Sequence, residues 1–453
     1  MPRPLIVICC VGLTPAHIGA DTPNLRRLAD RGFMAPMAGI VPAVTTSAQA
    51  TIVTGTLPRQ HGIVGNGWYF RELGEVWFWR QSQRLIEAES FWSRARRTRP
   101  VSVLKHFWWY AMNSDVDAVV TPRPAYHHDG SKSPDIYTLP ATLKDRLNAA
   151  HGEFPLFTFW GPAAAIDATR WIADGFATSY RTVAPDVSLV YLPHLDYDLQ
   201  RFGPTGAHLA GNLRALDTEV GKVIGFAGEA AIAVVSEYGI GRVDTPVFIN
   251  RRLRELGSLA VTTNATGELL DPGASAAFAV CDHQIAHVYC RDGATAARTA
   301  AALATLPGIE RVYAGGQRRE IGLDHGRSGE VIAVAAPGAW FTYDYWLDDS
   351  RRPDFARAVE IHKKPGYDPR ELFFDPKGGK LRAMRALMRK KLGLRYVMDP
   401  VPLDASLVRG SHGRPPSAPE HGPVLIASER GWQRDQWSML DLAALFEQHL
   451  LGG

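Results

Sequence analysis

The chain reads as an α/β protein built on a central, mostly parallel sheet with helices on its faces. Three observations predict this. Leu5–Val11 is an unbroken apolar run rich in β-branched residues, as parallel strands buried on both faces are. Gly12-Leu13-Thr14-Pro15 leaves that run at its carboxyl end, and Thr22-Pro23-Asn24 then opens a helix that continues to Gly32, a cap followed by proline at the first position. Further strand-like runs at Phe154–Trp160, Val187–Leu192 and Ala230–Val235 alternate with a helical spacing at Leu209, Leu213, Leu216, Val220 and Val223.

Composition narrows the class. The chain has 453 residues, 46% hydrophobic and 21% charged, which suits a large globular core. A formal charge of +4 over this length does not point to nucleic acid. Leu5–Leu13 is too closely followed by structured sequence to be a signal segment, and no run approaches the roughly 20 apolar residues of a membrane span. The four cysteines include the adjacent pair Cys9-Cys10 inside the first strand, so they predict neither a disulfide framework nor zinc-ligand spacing. The expected location is cytoplasmic. Oligomeric state is not legible.

The stretch that carries chemistry is Val41–Tyr69. Pro42 is followed by the hydroxyls Thr45, Thr46 and Ser47, then by small residues that read as a helix. A helix N-terminus presents free N–H groups and a positive dipole end, which suit a phosphate or another oxyanion. Asn66 lies in the Gly-rich turn that follows, where its amide can donate to the same anion. An ordinary strand–helix junction with Thr45 as N-cap is the competing explanation.

Elsewhere, Tyr69–Tyr110 is dense in Trp and Phe, as core packing is, or as one wall of a pocket for a ring-bearing substrate. Lys105 and His106 are of types that suit a phosphate. Thr121–Leu139 reads as a long loop containing His127-His128-Asp129, a weak metal candidate. Ile285–Tyr289, Ala294–Leu306 and Ile309–Tyr313 predict a βαβ-like unit within an inserted region. Lys380–Leu392 is a basic helix whose simplest reading is a solvated face, with contact to anionic lipid or a phosphorylated substrate as the alternative. Val424–Ala427 is expected as a last strand and Met439–Leu450 as a terminal helix. The expected organisation is a core from 1–249, a cap-like insertion at 250–400, and a return to the core at 401–453.

The order Pro42, Thr45, Thr54-Gly55, Pro58, His61-Gly62-Ile63, Asn66 resembles the nucleophile segment of the type I phosphodiesterase/nucleotide pyrophosphatase family, in the alkaline phosphatase superfamily. The resemblance continues through Asp196 with Gly203-Pro204, Ser236-Glu237-Tyr238-Gly239, and Ser411-His412-Gly413. It implies an alkaline-phosphatase-like three-layer α/β/α core with a cap, and phosphoryl transfer assisted by two divalent ions. Thr45 would be the nucleophile, Asn66 a phosphoryl-oxygen donor, and Asp196, Glu237 and His412 the surviving metal ligands. The pattern departs at three ligand positions: Val11 stands for Asp, Gln200 for His and Tyr238 for His, while Glu237 stands for Asp. These departures imply a reduced site with a single ion, zinc best suiting the donors, or none. His194, His283 and His287 are off-pattern donors. The expected function is a hydrolase of the phosphoric diester or diphosphate type acting on a small phosphorylated substrate. A catalytically degenerate relative that binds without turnover is the alternative.

Overall fold

In the computed structural model, which describes residues 2–128 and 132–453, the first apolar run is the strand Leu5–Cys10 near the middle of a nine-stranded sheet. All six of its residues are buried, because the strand is covered on both faces. It pairs in parallel with Val187–Leu192 on one side and Ala231–Val235 on the other. Val103–His106 and Ala118–Pro122 extend the parallel run beyond Val187–Leu192. Two antiparallel additions frame this block: Ile136–Leu139 on Ala118–Pro122, and Val424–Ala427 on Ala231–Val235. Phe33–Ala38 and the short Trp437–Ser438 complete the sheet.

Helices cover this sheet in two groups. Pro23–Arg31, Ile166–Val183 and Ala207–Phe226 pack together, and Thr45–Thr54, Phe91–Ala95 and Leu442–Leu451 form a second set. The mostly parallel α/β core expected from the sequence is present. No helix is long and apolar enough to cross a membrane among the described residues.

Some expectations need correction. Phe154–Trp160 is not a strand; Leu156–Phe159 forms one helical turn after Pro155. Its aromatic character serves a cluster of Phe107, Phe154, Phe159 and Trp171, and a short apolar run does not distinguish helix from strand by period. The stretch 121–139 holds a small pairing of Ala125–Tyr126 with Lys132–Ser133 and the edge strand Ile136–Leu139. Asp129 of the His-His-Asp triplet lies outside the described residues. Lys105 and His106 are both buried in a strand rather than presented to a ligand, with the Lys105 ammonium bonded to Gln83 and to the Tyr110 carbonyl.

A separate four-stranded sheet runs in the order Ala277–Asp282, Ile285–Cys290, Val331–Ala335, Ile309–Ala314. Every neighbour in it is antiparallel. The helix Gly293–Ala304 joins two strands as expected, but Val331–Ala335 inserts between them, so the unit is a split βαβ. The chain after this sheet is fixed by a buried ionic cluster. Arg370 bonds Asp344 and Asp368, while Lys364 bonds Asp368 and Glu371, all at most 2% exposed. Arg370→Leu leaves these carboxylates short of a countercharge and is expected to cost about 3–5 kcal/mol, read from urea unfolding. An unchanged midpoint would show that the cluster is not holding this segment.

Candidate active site

The side chains of interest gather beyond the carboxyl ends of the parallel strands, where open α/β sheets bind ligands. Asp196 lies in the helix His194–Phe202, which starts immediately after the strand Val187–Leu192. Tyr238 follows the strand Ala231–Val235, on the other side of Leu5–Cys10, and His412 follows the two-residue strand Gly410–Ser411. Thr45 is the first residue of the helix Thr45–Thr54, with Val44 rather than Thr45 in the cap position, so its hydroxyl is free for other bonds.

That helix is buried along its whole length, and its polar groups are satisfied by the loop that follows. Thr46 Oγ1 donates to the Gly65 carbonyl at 2.8 Å and Ser47 Oγ to the Ile63 carbonyl at 2.9 Å. Asn66 Oδ1 accepts from the Thr46 N–H at 3.1 Å. Gln49 faces the sheet, donating to Glu237 Oε1 at 2.7 Å and accepting from the Trp109 N–H at 2.8 Å. Asn66 is held in turn by Asp282, whose two oxygens accept its backbone and side-chain N–H groups at 2.8 and 3.1 Å. One amide hydrogen of Asn66 is left for a ligand.

The Thr45 hydroxyl lies 3.0 Å from Tyr238 Oη, and that phenol lies 3.4 Å from Asp196 Oδ1. Gln200, one turn along, donates to Asp196 Oδ2 at 2.8 Å and accepts from Tyr367 Oη at 3.0 Å. Thr45, Asp196 and Tyr238 are each less than 10% exposed. Burial raises the Asp196 carboxyl to about 7, with the Gln200 and Tyr238 bonds opposing the rise. Burial also pushes the Tyr238 phenol well up, reinforced by Asp196 and Glu237.

His412 donates from Nδ1 to the Ala43 carbonyl at 2.7 Å, which leaves Nε2 as a lone pair with no partner, 3.9 Å from Asp196 Oδ1. Burial, then His283, pushes its pKa well down, so the ring is neutral. His283 is arranged likewise: Nδ1 bonds Asp282 Oδ1 at 2.8 Å and Nε2 is unpartnered. Its backbone is left-handed (φ 61°) in the turn between two strands of the four-stranded sheet. The rings of Tyr238, His412, His283 and Tyr367 stack in one column, with successive centroids 3.6, 3.7 and 3.6 Å apart.

The expected ligands Asp196 and His412 therefore meet, while Glu237 engages Gln49 and sits beside the Cys9 thiol. Val11 has no donor atom and is fully buried. Tyr238 occupies its ligand position with a ring stacked on His412, and Gln200 turns an amide donor, not a lone pair, toward Asp196. The two imidazoles lie face on face with their planes tilted by 36°, and each spends its Nδ1 on a protein oxygen. Among the described residues no three His, Cys, Asp or Glu side chains converge on a metal-sized centre. The residues present do not fit a two-ion site.

Asp282, Tyr367 and Gln49 were not indicated by any local pattern, since each acts on residues 60 to 216 positions away in the chain.

A model of the type I phosphodiesterase/nucleotide pyrophosphatase family matches residues 5–368. The chain belongs to this family. Its members are hydrolases, and the family's dependence on divalent metal is what makes the altered ligand positions here chemically significant. Among solved structures, phosphonoacetate hydrolase from Sinorhizobium meliloti 1021, in complex with phosphonoformate, is similar over 99% of this chain and 96% of that one, at 15% identity and a TM-score of 0.61. An inactive variant of murine ectonucleotide pyrophosphatase/phosphodiesterase 5 in complex with AMP covers 99% and 95%, at 15% identity and a TM-score of 0.57. The human counterpart gives 14% identity, the same coverage and 0.59. These likenesses establish the alkaline-phosphatase-like fold. No match is found among curated proteins.

Two outcomes follow from this geometry. Gln200→His adds a third nitrogen or carboxylate donor to Asp196 and His412, so the variant is expected to take up about one zinc per chain where the wild type retains far less, as read by elemental analysis. Equal zinc in both would show that the amide is not what limits the site. Burial also raises the Asp282 carboxyl to about 6 from an ordinary 3.8, the Asn66 bonds opposing. The folded state thus holds this proton more tightly than the unfolded chain. Its contribution is full at acid pH and is lost as pH rises from about 4 through 6. Wild-type stability relative to Asp282→Asn is expected to decline across that window, and parallel stability curves would contradict it.

Proposed function

We propose that the chain hydrolyses a small phosphorylated substrate of the phosphodiester or diphosphate type, with Thr45 as nucleophile. The observation that carries this is the bonded sequence from the Thr45 hydroxyl to Tyr238 to Asp196. Thr45 Oγ1 attacks phosphorus as its proton moves to Tyr238 Oη, and the phenol's own proton moves to Asp196 Oδ1. The bond from phosphorus to the leaving group breaks, its oxygen keeping the electron pair. Water then attacks phosphorus, and the Asp196 proton returns through Tyr238 to Thr45 Oγ1 as the phosphothreonine bond breaks. The proton released by water balances the leaving oxyanion through solvent. Tyr238 stays neutral overall, which accords with the high pKa that burial gives it. The helix N-terminus and the remaining Asn66 N–H stabilise the phosphoryl oxygens. Half-buried Trp79, Trp109 and Trp160, grouped around Tyr367, offer stacking surfaces to a ring-bearing group. The AMP complex of the murine neighbour agrees with a substrate of that kind.

Asp196 and His412 are the residues an ion would meet, and zinc best suits their donors. Two ligands fall short of the three or four that hold zinc, so no step is assigned to a metal. The aromatic column in the place of ion ligands favours a second reading, a protein that binds such a compound without turning it over.

A panel of chromogenic phosphodiesters, diphosphates and phosphonates decides between the two. Thr45→Ala is expected to abolish hydrolysis, and Tyr238→Phe or Asp196→Asn to lower kcat by about 10²–10⁴ while the fold persists. Turnover by Thr45→Ala at the wild-type rate would overturn the nucleophile assignment. Binding without turnover in the wild type would establish the second reading.

A further inference from the structure

The helix Gly379–Lys391 is amphipathic in the wrong sense for a helix that only packs on its own protein. Its inward side is made of small residues, Ala386 buried and Ala383 half-buried, with Arg382 bonded to Asp375 on the body beneath. Its outward side is apolar. Leu381, Met384 and Met388 are 67, 57 and 63% exposed, and Leu392 just beyond the helix is 73% exposed. At 100° per residue these four fall within an arc of about 80°. Lys380 and Lys391 border that arc on one side, Arg385 and Arg389 on the other. The exposed residues Leu394 and Val397 continue the apolar character past the helix end, where Arg389 holds the chain by a bond to the Arg395 carbonyl. No acidic residue occurs between Lys380 and Met398.

We propose that this face docks the protein on an anionic lipid surface. An interfacial helix buries leucine and methionine at the boundary between headgroups and acyl chains while its lysines and arginines reach up to the lipid phosphates. Cations on both borders of an apolar stripe, without a single carboxylate, are that arrangement. Charge argues against the other occupants. A second copy docked through the same face would set cations against cations, and nucleic acid would leave the Leu–Met stripe in water. The docking face is separate from the candidate active site and does not depend on its chemistry.

Flotation of the full chain with lipid vesicles tests this. Vesicles of phosphatidylcholine containing about one-third phosphatidylserine are expected to carry the protein, and pure phosphatidylcholine vesicles to leave it in solution, with binding falling as salt rises. Met384→Asp with Met388→Asp, and separately Arg385→Glu with Lys391→Glu, are each expected to weaken binding at least about tenfold. All four side chains are exposed, so thermal unfolding of both variants should match the wild type. Absence of binding to anionic vesicles, equal binding to neutral ones, or binding unmoved by both pairs of substitutions would overturn the proposal. Self-association dispersed by the methionine substitutions, without vesicle binding, would overturn it too and assign the face to a second copy.

Discussion

A helix of polar residues buried on every side is the constraint from which the site is built. Thr45–Thr54 carries hydroxyl and amide groups at most of its positions, and none reaches bulk solvent. Each group left without a partner would cost about 1–3 kcal/mol, so the neighbouring chain has to be shaped around them. The loop from Ile63 to Asn66 lends its carbonyls to Thr46 and Ser47, and Gln49 ties the helix to Glu237 at the end of a sheet strand. Thr45 is what remains: one hydroxyl at the helix start whose partner, Tyr238, comes next to Glu237 at the end of that same strand. The same satisfaction that stabilises the helix fixes where the Thr45 hydroxyl points.

Where relatives of this fold rely on ions, the present chain has placed side chains that neutralise one another. Val11 removes a charge outright. Gln200 supplies Asp196 with a hydrogen-bond donor in place of a cation. Tyr238 bridges the two halves of the site and stacks on His412, itself stacked on His283. Three carboxyls, Asp196, Glu237 and Asp282, are left in a dry interior without a full positive countercharge, and burial raises all three accordingly. The result is a site near electrical neutrality, held by hydrogen bonds and ring contacts.

Much of this was legible because the informative residues sit in short, ordered segments. Leu5–Cys10 announced a doubly covered strand through unbroken apolarity, and Thr45, Asn66, Asp196 and His412 stood out as candidates from spacing against a family pattern. The departures at Gln200 and Tyr238 were equally visible, but their consequence was not, since a sequence does not show that a phenol will bridge two residues 151 positions apart (Thr45 to Asp196). Asp282 and Tyr367 escaped notice because they act across long sequence separations with no local signature. The strand expected at Phe154–Trp160 failed for a simpler reason: aromatic side chains bury equally well from a helical turn.

The hairpin turn that carries Asp282 and His283 belongs to the four-stranded sheet, yet its carboxylate grips the loop that shapes the helix Thr45–Thr54. For protein engineering, this makes two segments separated by more than two hundred residues a single heritable unit. A graft that exchanged the four-stranded sheet for a relative's while keeping residues 41–69 would cut the bonds that orient Asn66. Libraries aimed at new substrates are therefore better diversified at both segments together than at either alone.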